Sequence, residues 1–548
     1  MGRNKLLFLI CLLFMPVMVF SAPFDMILTG DPVLDDLRFL ALESGRPFLS
    51  MTPPLAPNEL RNFLNSIDES TISLPAIEAY YRVLERLSPQ APPLSLSDGI
   101  FSLHLNVNAT LVGRMRFNSE ISWFPHYPEI VPVLQFPLNY YISDYVQLYV
   151  EPSVAMRPGE YGLEDFDTNI PSGYYTYNES MPLRAFLALG GQWWNFQIGR
   201  DRLYWGTAFS GGLVFSDNSQ YFDYARLSFF SSTFKYSFIV NQLPLTLNEH
   251  LFPEVNHSAY PTDWNKPGNL TRSMHRYYYL HRFDITFFDK ISLAIMEGVL
   301  VGNSPLEIRF LSPMIVFHSL FSWEYYDNWA APPYFSRSLI GSILSFEINW
   351  NIINSLSVYG QLVINEFATP GELESNPNQP PNSFGYLAGV QHSRSFNNWG
   401  ALFYIEFIYT DPYFSMSESP FGSFIQEDRF NQYYYLGYPR DTIAVTLGAM
   451  FFDNKQLKLS GNFAWISSGE HNKNGLTWNW RKDPVTFAET TPTGIVENKF
   501  ILSFEVEWEA YSWLVLKTGV SGILSINNNN SNNNETGGQA YISFGFKY

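Results

Sequence analysis

From Asp98 to the C-terminus the chain alternates apolar and polar side chains with a period of two, the repeat of strands whose two faces meet different surroundings. Phe500, Leu502, Phe504, Val506 and Trp508 share one face, while Ser503, Glu505, Glu507 and Glu509 share the other. Likewise Ile443, Val445, Leu447, Ala449 and Phe451 oppose Thr442, Thr446 and Gly448, and Trp399, Ala401, Phe403, Ile405 and Phe407 oppose Tyr404 and Glu406. Upstream the period is helical. Asp31 as N-cap and Pro32 at the first helical position introduce a stripe of Val33, Leu34, Leu37, Leu40 and Ala41 that ends at Gly45. Two more stripes, Leu60, Phe63, Leu64 and Ile67, then Ile77, Tyr80, Leu84 and Leu87, follow Pro57 and Pro75. These helices predict either a small cap packed on itself or a layer docked on a larger body, and the Pro-rich stretch 89–93 closes the segment.

Connection lengths alternate as well. Short turns fall at Ser143-Asp144, Asp289-Lys290, Phe396 to Asn398, Asp453 to Lys455 and Tyr511-Ser512. Long polar or aromatic segments lie near 118–132, 157–182, 205–221, 245–275, 302–336, 369–383, 410–440, 467–497 and 527–538. Nine long loops joined by eight short turns, with both ends of the strand region on the short-turn side, predict eighteen strands, an even number as single-chain bacterial barrels require. The last strand places Ile542, Phe544, Phe546 and the terminal Tyr548 on one face, the ending characteristic of outer-membrane barrels.

Composition turns this pattern into a fold class. Only 15% of the residues are Asp, Glu, Lys or Arg, against about 25% in soluble domains. With 14 Trp, 34 Tyr and 47 Phe, such a chain makes a poor soluble surface, while 46% hydrophobic residues exclude disorder. Beyond the N-terminus no apolar run reaches the ~18–20 residues of a spanning helix. The expectation is an all-β transmembrane barrel of about eighteen antiparallel strands with an N-terminal periplasmic helical segment. Arg3 and Lys5 precede the apolar run Leu6 to Val19, and Val19 and Ser21 fit positions −3 and −1 of a signal-peptidase site. Residues 1–21 are thus read as a signal peptide, 22–93 as the periplasmic helical segment and 94–548 as the barrel. Cys11, the single cysteine, falls in the leader, so the mature chain is expected to be exported and cysteine-free. A net charge of −18, from 51 acids against 33 bases, argues against nucleic acid as a partner.

The long loops are where chemistry is expected. Trp323, Tyr325, Tyr326 and Trp329 cluster in one, Tyr433, Tyr434, Tyr435 and Tyr438 in another, Trp478 and Trp480 in a third. Flat aromatic faces pack on the C–H face of a sugar ring, and Asp327, Asn328, Asn431 and Asn479 supply hydrogen bonds nearby. The same rings could simply fill the barrel mouth. Arg200, Arg202 and Trp205 lead into a turn through Gly206, Gly211 and Gly212, which reads as a tight re-entrant loop because no nucleotide-binding glycine spacing stands there. The arginines could face acidic sugars or the lumen carboxylates, and Arg202 and Trp205 join the loop aromatics as candidate ligand contacts. Glu505, Glu507 and Glu509 lie on one strand and read as lumen lining rather than a hydrolytic pair. The nine histidines show no metal-ligand spacing and no GxSxG elbow is present, so neither an enzyme nor a cofactor is expected.

The segment Asp31-Pro-Val-Leu-Asp-Asp-Leu-Arg-Phe-Leu-Ala-Leu-Glu-Ser-Gly45, with Asn58-Glu-Leu60, resembles the helical opening of Wzi-type capsule assembly proteins. Gly199-Arg-Asp-Arg-Leu-Tyr-Trp-Gly206 continuing to Leu213-Val-Phe-Ser-Asp-Asn218, then His281-Arg-Phe-Asp284, Glu297 and Arg309-Phe-Leu-Ser-Pro313, are similar to later stretches of that family. Tyr359-Gly-Gln-Leu-Val-Ile-Asn-Glu-Phe367 and Tyr435-Leu-Gly-Tyr438 complete the resemblance, which spans most of the chain in order. It implies an eighteen-stranded outer-membrane barrel, a helical bundle at its periplasmic end and a surface lectin role in holding capsular polysaccharide. The expected partners are therefore cell-surface polysaccharide, outer-membrane lipid and the barrel assembly machinery. The alternative is an outer-membrane diffusion channel or transporter, and an obstructed lumen would separate the two.

Overall fold

The computed structural model describes residues 24–88, 92–98, 100–118, 121, 131–157, 165–173, 176–177, 184–216, 221–247, 272–302, 306–312, 316–317, 340–367, 371, 381–417, 421–427, 433–453, 457–470 and 490–548. The residues read as a signal peptide lie outside this set.

Alternation becomes a single sheet of 23 strands. Six are halves of three strands interrupted at a bend, two (Leu94–Ser97 and Phe166–Thr168) are short additions paired to the first of these, and the wall itself has eighteen. The first five are β1 (101–117), β2 (134–142), β3 (146–154), β4 (Arg184–Gly190) and β5 (Trp194–Asp201). Then come β6 (Phe222–Phe230), β7 (Phe234–Leu247), β8 (Arg272–Phe287), β9 (Ile291–Gly302) and β10 (Ile340–Ile353). The rest are β11 (Leu356–Glu366), β12 (Ser383–Phe396), β13 (Trp399–Thr410), β14 (Thr442–Asp453), β15 (Leu457–Ser468), β16 (Glu497–Tyr511), β17 (Leu514–Ile526) and β18 (Glu535–Lys547). Each pairs antiparallel with its neighbours in sequence, and the ring closes where β18 pairs with β1, from Gly538 opposite Phe117 to Lys547 opposite Asn108. Tyr548 extends the seam, exchanging backbone hydrogen bonds with Val107 at 2.8 and 2.9 Å. The chain is an antiparallel transmembrane barrel of eighteen strands, as the loop lengths predicted.

Alternation also fixes the faces. Leu502, Phe504, Val506 and Trp508 of β16 are exposed on the outer wall, as are Phe346, Ile348 and Trp350 of β10. Near the short turns the outer rings stack in pairs, Trp193 with Phe229 at 5.8 Å and Tyr511 with Trp513 at 5.3 Å, an aromatic girdle of the kind that marks a membrane interface.

The helices α1 (Val33–Glu43), α2 (Pro57–Leu64) and α3 (Leu74–Arg86) realise both options left open by the sequence. Leu37, Leu40, Leu60, Leu64, Ala79 and Val83 form a core of their own, and the layer also docks on the barrel. The helix begins one residue later than expected, so Pro32 takes the cap position, and the Asp31 carboxylate still accepts the Val33 N–H at 3.1 Å. The buried stripe of α3 is Pro75, Ala76, Ala79 and Val83 rather than Ile77, Tyr80 and Leu84. Small side chains let α3 approach α1 closely, which leaves the larger ones at the margin.

Docking is at the short-turn end. Phe39 meets Phe452 of β14 edge to face at 4.8 Å, Arg46 pairs with Asp289 at 3.0 Å, and Lys290 donates to the Gly45 carbonyl at 2.9 Å. Deeper, Arg226 from β6 donates to the Thr52 (3.1 Å) and Pro54 carbonyls, and Lys235 from β7 pairs with Glu59 at 2.5 Å and donates to Thr52 at 3.0 Å. Glu43 accepts the hydroxyls of Ser73 and Ser393, both at 2.6 Å. Because Lys235 and Glu59 are both buried, removing one partner strands the other charge, at a cost of about 3–5 kcal/mol. Lys235→Met is therefore expected to release residues 24–88 to limited proteolysis at markedly lower denaturant than wild type, with the barrel still closed. An unchanged proteolysis midpoint would show that the pair does not hold the layer.

Candidate functional site

Two kinds of element meet inside the ring. From the long-loop end, the connection between β5 and β6 turns back into the lumen instead of rising above it. Gly206 and Gly211 take φ of 126° and 128°, a region closed to most side chains, and this gives the re-entrant turn that the glycine spacing suggested. Leu203, Trp205, Leu213 and Phe215 of this loop pack with the inward-facing Tyr278, Leu280, Met296, Tyr359 and Leu387 of the wall in one buried cluster. Many inward positions at this level are apolar because they contact protein, not water, while the polar ones, Gln361 and Glu406, bond the loop backbone.

Glu406 fixes the loop. This fully buried carboxylate on β13 accepts the backbone N–H of Phe209 at 2.6 Å and of Ser210 at 2.8 Å, together with the Ser210 hydroxyl. The Tyr359 hydroxyl donates to it at 2.5 Å, and the Phe209 ring stacks on Tyr404 at 4.1 Å. A side chain amide or hydroxyl could not accept two adjacent amides so strongly, since hydrogen bonds to a charged acceptor are the stronger kind.

The helical layer reaches the same loop from below. Arg38 of α1 donates to the Thr207 carbonyl at 2.7 Å and the Ala208 carbonyl at 3.1 Å, and its guanidinium lies 4.2 Å from the centre of the Phe209 ring. Gly206 N–H donates to the Met51 carbonyl at 2.9 Å, and the Thr29 hydroxyl donates to the Arg202 carbonyl at 3.0 Å. Loop and helices thus touch across the lumen. A second connection, between β13 and β14, packs above: Ser216 N–H donates to the Leu436 carbonyl at 2.8 Å, and Tyr438 lies buried over Gly211.

Among the described residues a sector beside the loop stays open. Between α1, the loop and strands β13 to β17 is a cleft of about 530 Å³ lined by Asp35, Arg38, Arg202, Phe209, Lys458 and Glu507 among others. Several of its charges are paired: Lys458 with Asp35 at 2.5 Å, Lys517 with Glu507 at 2.8 Å, Arg82 with Asp36 at 2.5 Å. Burial pushes the Asp36 carboxyl above its ordinary range even beside Arg82. Glu505 accepts from the Tyr541 hydroxyl, so the inward carboxylates do share the lumen with cations and donors.

The residues singled out from the sequence separate clearly. Trp323, Tyr325, Tyr326, Trp329, Trp478 and Trp480, with Asp327, Asn328, Asn431 and Asn479, lie outside the described residues. Tyr433 to Tyr435 form a short strand paired with Ile425–Glu427 in the second lumen-capping connection. Tyr434 packs against Ala155 and Met156, and Tyr435 is half-buried. Trp205 is fully buried, edge-on to Phe215 at 5.2 Å, so it organises the loop and presents no face to a ligand. Arg202 lines the cleft, whereas Arg200 pairs with Asp223 through hydrogen bonds of 2.7 and 2.6 Å. Glu406 was placed on the inward face by alternation, but its partners come from a loop some two hundred residues upstream, and no local signal reveals them.

Glu406→Ala is expected to raise amide exchange at Phe209 and Ser210 roughly ten- to a hundredfold, the loss of hydrogen bonds worth about 1.5–3 kcal/mol. Exchange at wild-type rates would show that the loop is held by packing alone.

No family model matches the sequence, and no curated protein matches it. Among solved structures the fold is similar to Wzi of Escherichia coli, described as an outer-membrane protein involved in group 1 capsule assembly and a carbohydrate-binding β-barrel, with a TM-score of 0.55 at 14% identity over 95% of this chain and 99% of that one. Weaker likenesses are to Pseudomonas aeruginosa OprD, with a TM-score of 0.38 at 7% identity over 81% of this chain and 95% of that one, and to a BenF-like porin from Pseudomonas fluorescens, with a TM-score of 0.39 at 10% identity over 81% and 99%. At these identities the likeness concerns the fold.

Proposed function

We propose that this chain is a bacterial outer-membrane barrel that binds cell-surface polysaccharide on its long-loop rim and helps assemble or retain a capsule. Residues 1–21 direct export, the helical segment faces the periplasm, and the terminal strand ending at Tyr548 is the segment that the barrel assembly machinery engages. The observation that carries this reading is the meeting of loop and helices across the lumen, Gly206 on Met51 and Arg38 on Thr207 and Ala208. That contact narrows the lumen to the cleft beside Lys458 and Glu507, which disfavours a channel for a polysaccharide chain and favours the rim as the place of binding. The carbohydrate-binding description of the similar barrel from Escherichia coli supports the same choice.

The ligand-binding residues proposed are Trp323, Tyr325, Tyr326, Trp329, Tyr433, Tyr434, Tyr435, Trp478 and Trp480, each offering a ring to a sugar face. Arg202 would meet only a chain end that enters the cleft. No covalent step is needed. Single stacking contacts are weak, and affinity comes from several loops engaging one long chain.

Replacing Trp323, Trp329, Trp478 and Trp480 together by Ala is expected to release polysaccharide into the medium while leaving the heat-modifiable gel mobility of the folded barrel intact. Retention by that assembled variant would remove the assignment to these loops. In planar bilayers the intact protein should show little conductance until the segment up to Leu87 is deleted. Large, steady channels from the intact protein would restore the transporter reading.

A further inference from the structure

The connection after β9 does something the lumen loops do not. Its described residues, 306–312 and 316–317, lie against the outer wall of β7, β8 and β9. Strand alternation fixes that face: Phe234, Ile285 and Leu293 are exposed on the outside, so Tyr236, Tyr279, His281, Glu297, Val299 and Val301, an even number of residues away, point outward too. Tyr236, Tyr279, His281, Val299 and Val301 are nevertheless buried. Phe310 packs on Tyr279 with ring centres 5.1 Å apart, and Phe317 stacks on His281 at 4.2 Å.

Beneath this flap are polar groups that a barrel's outer face rarely carries. His281 and Glu297 sit opposite each other in the β8–β9 ladder. Ionisable side chains directed at hydrocarbon are costly, most of all near the bilayer midplane. Here the flap receives them: Phe317 N–H donates to Glu297 at 3.0 Å, and the Tyr236 hydroxyl is 2.7 Å from His281 Nδ1.

The flap turns its own polar groups inward. Glu307 N–H donates to the Tyr279 hydroxyl at 3.0 Å, Phe310 N–H to the Glu307 carbonyl at 3.2 Å, and Arg309 pairs with Glu307 at 2.8 Å. What it shows to the outside is mostly apolar, with Ser312 and part of the Arg309 side chain beside it. Ile308 is 82% exposed, Val316 59% and Leu306 48%, each more than the neighbouring wall residues Ile295 (43%) and Phe346 (41%). A loop bathed in water would partition the other way, with charges out and aliphatic side chains in. In hydrocarbon this arrangement is required, because backbone groups there have no water to bond.

We propose that this flap lies within the outer leaflet of the membrane, where Leu306, Ile308 and Val316 bind lipid acyl chains and the segment shields the His281–Glu297 pair beneath. The inference rests on the membrane placement proposed above. Acyl chains are the occupant because the three exposed side chains continue the apolar belt of Ile295 and Phe346, and the only charges on the described flap, Glu307 and Arg309, neutralise each other.

The test uses nitroxide labels in the full-length barrel, with Cys11 replaced by Ser, reconstituted in phosphatidylcholine vesicles. Labels are placed at Ile308→Cys and Val316→Cys, with Phe346→Cys as the belt reference and Glu85→Cys as the aqueous one; all four positions are exposed, so folding should survive and is checked by heat-modifiable mobility. Collision with oxygen should exceed collision with a water-soluble nickel complex at both flap sites, matching Phe346→Cys and opposite to Glu85→Cys. Nickel accessibility like that of Glu85→Cys would overturn the inference, and so would protection from both reagents, which would mean that protein covers the flap. If Phe346→Cys itself reports water, the membrane placement has failed, and the two failures are thereby told apart.

Discussion

A strand in hydrocarbon has no water to bond its N–H and C=O groups, so a sheet that spans a bilayer can have no edge. The rest of this structure depends on the seam that meets this constraint, β18 against β1, with Tyr548 bonded to Val107 at its end. Period-two alternation then needs no further explanation. Closure leaves each strand one face toward the outside and one toward the lumen, and the residues obey.

Closure of eighteen strands creates a second problem. A ring of that size encloses more space than wall side chains can fill. Wide barrels either leave water there or fill it with protein, and this chain does mostly the latter. The loop after β5 comes down onto Glu406, the helical layer comes up behind Arg38, and the cleft beside Lys458 and Glu507 keeps a polar lining. The lumen's charge pattern follows from that division. Inward positions against the loop are largely apolar, such as Met296 and Leu387, or bond its backbone as Glu406 does, whereas those facing the cleft include paired charges. The flap residues 306–312 and 316–317 are the inverse case on the outer wall, where protein covers the polar His281 and Glu297.

Much of this was legible in the sequence because it rests on local chemistry. Strand faces, turns, the closing aromatic strand and the three helices all follow from periods of two and 3.6 and from proline and glycine positions. The docking of the helices did not follow, because it depends on Lys235 meeting Glu59 and Arg226 meeting the Thr52 and Pro54 carbonyls, contacts between residues more than a hundred and seventy positions apart. Trp205 illustrates the same limit. Composition offered it as a ring for a ligand, yet its neighbours Phe215 and Tyr278 make it the centre of the lumen packing. The stripe on α3 differs from its sequence pattern for another reason: size points to Ile77, Tyr80 and Leu84 as the buried face, whereas Ala76 and Ala79 allow closer approach.

The central claim is that the barrel holds polysaccharide outside and does not pass it. Its most direct test places the protein in sealed vesicles with the long loops outward and adds fluorescent capsular polysaccharide from the same cells. The account predicts that the polymer sediments with the vesicles and that an added glycan hydrolase strips all of it. Polymer that accumulates inside, protected from the enzyme, would contradict the account.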